Sequence, residues 1–243
     1  QSYSSIGVTH HAMKNYNLAL ESKQKALQII LKLYGEDHPD TAGKYHNIGG
    51  TQLEMKNYKL ALEAYERACQ MRLKLYGDNH PDTVESYRAT GVIQRAIKNY
   101  KMALDLHKYA LHSMLKQHGE YHPDTVLSYW SVGITQRKMK DYEAALMSHQ
   151  HALHITLKLF GEDHPDTAKS YDVIGETQSE MEDYTSALES HQQALQIRLK
   201  LYGKDHPDTA ESYEIIKLVQ QRMKGQLSII PKEKKTQYWL KYL

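Results

Sequence analysis

Five copies of His-Pro-Asp-Thr begin at His38, His80, His122, His164 and His206, each 42 residues after the one before. A fixed period of that size marks a repeat array: one supersecondary unit, copied and stacked, whose apolar face is buried only by its neighbours. The period therefore constrains the fold more than any local motif does. It also places function on a surface shared by several copies, not in one catalytic cluster.

Residues 1–42 serve as the unit. Tyr3, Ile6, Gly7 and Met13 fall on one face of a first helix, and Lys14-Asn15 interrupts the pattern. Tyr16, Ala19, Leu20, Ala26, Leu27, Ile30, Leu31 and Tyr34 then continue in steps of three and four through a longer second helix. Gly35 is placed to end it in a left-handed conformation. Pro39 suits the first turn of the next helix, and Asp40 faces the positive end of its dipole. Asp37 is the expected N-cap. Glycine inside a helix costs about 1 kcal/mol relative to alanine. The recurrence of Gly7 at Gly49, Gly91, Gly133 and Gly175 therefore implies a compensating benefit, read here as close approach of paired helices. The expectation is an all-α, right-handed superhelical solenoid of antiparallel helix hairpins. Its units are 1–42, 43–84, 85–126, 127–168 and 169–210, with a partial one at 211–224. A turn at Lys224-Gly225-Gln226 would lead into a capping segment or tail over 225–243.

Composition narrows the function. The formal net charge of +2 over 243 residues argues against bulk binding of nucleic acid or anionic membrane. No apolar run approaches membrane-spanning length, and no signal-peptide pattern is seen. The lone cysteine, Cys69, replaces the leucine of its column and suits a reducing, cytoplasmic interior. Opening at Gln1 in mid-pattern, the chain reads as a piece of a longer protein. Of its 15 histidines, five lie in the turns, and His149, His151 and His154 read as a solvated helix face. No cysteine or carboxylate pattern completes a zinc set. There is no phosphate-binding glycine loop and no nucleophile with a base nearby. No catalytic residue, metal or cofactor is therefore expected.

The run Tyr45…Ile48-Gly49…Tyr58…Ala61…Ala68 resembles the tetratricopeptide repeat pattern. The 42-residue spacing and the His-Pro-Asp-Thr turn resemble the repeats of kinesin light chains, of nephrocystin-3-like proteins and of invertebrate signalling ATPases. The resemblance covers about residues 1–224. It implies a non-catalytic protein-interaction module whose first helices line a concave groove. A glutamine column, from Gln52 to Gln220, departs from the family, and amide hydrogen bonds between hairpins are one reading of it.

By that register the groove offers Asn47, then Arg88, Val92 and Arg95, then Trp130, Ile134, Arg137 and Lys138, then Asp172 and Glu176. These columns vary from copy to copy while the scaffold columns repeat. Arginines beside an exposed tryptophan suit an acidic or aromatic-acidic peptide. The alternative is a structural array that self-associates through its ends or packs on a neighbouring ATPase domain. RNA binding fits poorly, because the groove has an acidic half.

Overall fold

The computed structural model describes residues 2–229, with side chains as far as Gly225. Eleven helices and no strand occur among them: α1 Tyr3–Ala12, α2 Tyr16–Tyr34, α3 Pro39–Glu54, α4 Tyr58–Tyr76, α5 Pro81–Ala96, α6 Tyr100–His118, α7 Pro123–Lys138, α8 Tyr142–Phe160, α9 Pro165–Glu180, α10 Tyr184–Tyr202 and α11 Pro207–Ile229. The chain divides into two compact units, residues 1–117 and 118–243. In the first, α1 packs on α2, α2 on α3, α3 on α4 and α4 on α5. In the second the same succession runs from α7 to α11. Helix α11 continues through Lys224 and Gly225, so the turn expected there is absent. The cap or tail expected over 225–243 lies outside the described residues beyond Ile229.

The repeated turn is built by histidine. In every copy the imidazole Nδ1 accepts the backbone N–H two residues on, at 3.1–3.2 Å, from Asp40, Asp82, Asp124, Asp166 and Asp208. The N-cap is therefore His38 and its copies, not Asp37. Instead, Asp37 accepts from Lys74 at 2.5 Å and Asp163 from Lys200 at 3.0 Å, tying a turn to the next hairpin. The capping ring stacks on the aromatic or histidine side chain that ends the preceding helix, with centroids 4.3 Å apart for Tyr34–His38 and 4.1 Å for Tyr76–His80. Thr41, Thr125 and Thr167 then donate to the glycine carbonyls six residues earlier, at 2.7, 3.0 and 2.8 Å. The histidine and the threonine of the motif thus each satisfy a backbone group at a helix end. That requirement recurs at every hairpin junction.

Two positions per repeat have positive φ, and they differ in kind. Lys14, Lys56, Lys98, Lys140 and Glu182, at φ of 58–65°, close the first helices. Lys56 N–H donates to the Leu53 carbonyl and Asn57 N–H to that of Gln52, which satisfies two terminal carbonyls. Gly77, at φ 81° and ψ 176°, lies in a region that side chains do not enter cheaply. We expect Gly77→Ala to cost about 1–3 kcal/mol. Lys56→Gly should leave stability unchanged or raise it by up to about 1 kcal/mol. Urea denaturation checks both, and equal losses would show that the two turns are equally strained.

Small residues repeat through the core. Ala19, Ala61, Ala103, Ala145 and Ala187 are fully buried, as are Thr41, Thr83, Thr125, Thr167 and Thr209. Cys69 is half-buried, like the leucines of its column, and burial pushes its thiol up to about 11. A thiol so protonated at neutral pH is a packing residue.

Candidate functional site

The glycine column opens room for a side chain on the facing second helix. A Cβ built on Gly91 would lie 2.6 Å from His107 Cε1, one on Gly133 2.4 Å from His149 Cε1, and one on Gly175 2.7 Å from His191 Nε2. Gly49 faces the Tyr65 ring at 3.0 Å, and Gly7 faces Lys23 Cγ at 2.9 Å. The benefit read as helix proximity is thus a slot for residues 23, 65, 107, 149 and 191. The signal was present in the sequence as a second 42-residue column, rich in rings, 16 residues after each glycine. His149 is fully buried, which corrects its reading as part of a solvated face; His151 and His154 are exposed. Neither ring nitrogen of His107 or His149 has a hydrogen-bond partner. Burial, aided by Arg95 and Arg88, holds His107 down to about 4; burial, aided by Arg137, does the same for His149. Both are therefore neutral imidazoles near pH 7.

The first helices present their other face beside this slot, and the expected groove residues divide there into three groups. Asn47 and Lys138 are exposed, and Val92, Arg95 and Ile134 are half-buried. Arg88 is half-buried too and pairs with Glu85 at 3.2 Å. Trp130 is not exposed: it is 3% accessible and packs with Val126, Ala152, Ile155 and Val173. Its indole N–H donates to Ser170 Oγ at 3.2 Å, and the Lys169 ammonium sits 4.2 Å from the ring centroid. Arg137 is not a free cation either. It is buried and bridges to Glu176 at 2.6 Å and Glu180 at 2.9 Å on α9. Asp172 accepts from Arg198 at 2.5 Å and lies 3.1 Å from His191 Nδ1. Arg137 from the expected basic centre and Glu176 and Glu180 from the expected acidic half are thus partners of one another.

Trp130 and Asp172 occupy the same column and face the same slot. In the second unit, Arg198 reaches from its second helix to Asp172 and also donates to Ser212 Oγ at 2.6 Å. In the first unit, Arg72 contacts His46 Nδ1 at 3.4 Å and donates to Ser86 Oγ at 2.8 Å. Where that column holds the short Thr156, Trp130 fills the space and reaches the corresponding serine, Ser170, itself. In both of these units a long side chain, arginine or tryptophan, reaches the serine from one side of the slot or the other.

The glutamine column is satisfied inside each hairpin, not between hairpins. Gln52 and Gln94 accept from Asn57 and Asn99 at 2.9 and 3.0 Å. Gln136 and Gln178 accept from Ser148 and Ser190, both at 2.7 Å. Among the described residues, no cluster of three metal-ligating side chains occurs, and no helix is long and apolar enough to cross a membrane.

Comparison with known proteins gives concordant findings. The sequence profile described as tetratricopeptide repeat matches residues 1–74, 41–114 and 124–200. Among curated proteins none matches. BtubC (BKLC) from P. vanneervenii is similar in structure, with a TM-score of 0.73 at 20% identity over 84% of this chain and 81% of that one. A putative kinesin light chain with nearly identical TPR-like repeats, from Podosopora anserina, gives 0.73 at 16% identity over 83% and 95%. The Rap conjugation gene regulator of the plasmid pLS20, in complex with the Phr* peptide, gives 0.68 at 18% identity over 93% and 61%.

Proposed function

Because the chain belongs to the tetratricopeptide repeat family, we propose that it is a protein-interaction module that holds a peptide or partner segment along the first-helix face. The observation that carries this reading is a contrast within one chain. The buried alanine and threonine columns are the same in every copy. The exposed or partly open positions on the first helices change at each step, as Asn47, Ala89 and Ser131, a column that ends in the buried Val173, and as Gly50, Val92, Ile134 and Glu176. A scaffold that only stacked would have no reason to vary there. The Rap regulator solved with a peptide supports the same reading by analogy of fold. Contacts fall to Asn47, Arg88, Val92 and Arg95 in the first unit and to Ile134 and Lys138 in the second. Trp130, Arg137 and Asp172 support that surface from beneath.

The test is a peptide selected on the chain from a random display library and measured by fluorescence polarisation. Asn47→Ala/Val92→Asp is expected to weaken binding at least tenfold, about 1.4 kcal/mol. Gln70→Asp, on a second helix, should leave it unchanged. The reverse pattern would move the site to the second-helix face.

A further inference from the structure

In the first hairpin the slot opposite Gly7 holds not a ring but Lys23. Its stem fills the space that Tyr65 and the histidines fill elsewhere. Its ammonium reaches α3, donating to the Asn47 carbonyl at 3.2 Å and to Thr51 Oγ1 at 2.7 Å. Both acceptors are neutral oxygens, and among the described residues no carboxylate pairs with Lys23. An ammonium has three donors, so one remains. Burial lowers the pKa of this amine, and no neighbouring charge offsets that burial. A half-buried cation without a counter-charge is costly unless an anion comes to it.

Lys23 also lines a cavity of about 340 Å³. His11, His46, Asn47, Gly50 and the Tyr65 side chain line it together with Lys23. None of these lining groups is a carboxylate, and the Arg72 guanidinium, 3.4 Å from His46 Nδ1, adds positive charge that Asp82 partly offsets. Gly50 keeps the cavity open. The same column carries Val8, Val92, Ile134 and Glu176, and a Cβ at Gly50 would stand 3.3 Å from the Tyr65 hydroxyl. At no other junction does a lysine in one hairpin's ring slot meet a glycine at this column of the next hairpin.

We propose that this cavity binds an anionic side chain of a peptide, a carboxylate or a phosphoryl group, with Lys23 as its counter-ion and the Asn47 amide as a second donor. The inference rests on the first-helix face being the binding face. It places the acid-recognising element there, on residues of the first unit, rather than on the Arg137 bridge.

The experiment follows amide resonances of the ¹⁵N-labelled chain by NMR during titration with N-acetylglutamate N-methylamide. The equivalently blocked phosphoserine is the second arm, and blocked glutamine is the neutral control. Saturable shifts at Gly7, Lys23, Asn47 and Gly50 are expected with either anion or both, and none with glutamine. The anion that saturates at lower concentration identifies the source. Lys23→Met should weaken the response at least tenfold and Lys23→Arg should retain it, with circular dichroism establishing that each is folded. Lys23→Gln replaces Lys23→Met should the latter unfold. Shifts that do not saturate, or that persist in the neutral variant, overturn the proposal. Display-selected peptides that bind normally to Lys23→Met overturn it too, while leaving the first-helix face as the binding face. Failure of both the blocked amino acids and any selected peptide to bind removes both readings.

Discussion

Acidification from pH 6.5 to pH 4 is expected to remove several kcal/mol of stability. His46, His107 and His149 each sit at about 4 in the folded chain, against an ordinary value of 6.5. Burial is the main cause for all three, followed by Arg72 at His46, by Arg95 and Arg88 at His107, and by Arg137 at His149. Asp82 opposes the shift at His46. Between the two values the unfolded chain binds a proton and the folded chain does not. Protons therefore favour unfolding, and stability rises with pH across the window. The contribution is complete above 6.5, falls as the pH drops, and declines no further below about 4. One unit corresponds to about 1.4 kcal/mol, so each buried imidazole accounts for on the order of 2–3 kcal/mol. Chemical denaturation at pH 7 and at pH 4.5 measures the difference. The double variant His107→Phe/His149→Phe keeps a ring in each slot but cannot take a proton, so it should lose much less over the same interval. An equal loss in variant and wild type would place the acid sensitivity outside these two slots.

Gly133→Ala is expected to destabilise the second unit by about 2–3 kcal/mol, although alanine is the better helix former by about 1 kcal/mol. Its Cβ would meet His149 Cε1 at 2.4 Å and Nδ1 at 2.6 Å, and His149 is fully buried. Gly43→Ala is the control. It lies in α3 with nothing within 4 Å of the new Cβ, and should gain about 0.5–1 kcal/mol. His149→Ala removes the ring, so the double variant Gly133→Ala/His149→Ala should cost less than the sum of its single changes. Additive losses in thermal or denaturant unfolding would mean that glycine and ring do not share the slot.

Much of the site was hidden in the sequence for an identifiable reason. Trp130 and Arg137 occupy positions that, on one helix alone, face outward. What covers Trp130 is set by Thr156, 26 residues on, and by Ser170, 40 residues on. What neutralises Arg137 is Glu176 and Glu180, one hairpin later. Each pair joins two different columns of the repeat, so a register taken from one hairpin cannot show them. Lys23 was missed differently. It replaces a ring in a column whose partner is a glycine, and the pairing is evident only once that column is known to face the glycines.

What the sequence determined by itself is local and periodic. Hairpin length, the break at Lys14-Asn15, the glycine that ends each second helix and the position of each His-Pro-Asp-Thr turn follow from backbone hydrogen bonds and left-handed φ values. These are satisfied within a few residues, or six in the case of Thr41 and Gly35. The tertiary structure decided which partly polar side chains remain available to a partner. That choice depends on volume and charge brought together by stacking, across 24 residues for Lys23 and Asn47 and 26 for Asp172 and Arg198. A stacked hairpin buries whatever its neighbour's side chain is long enough to reach.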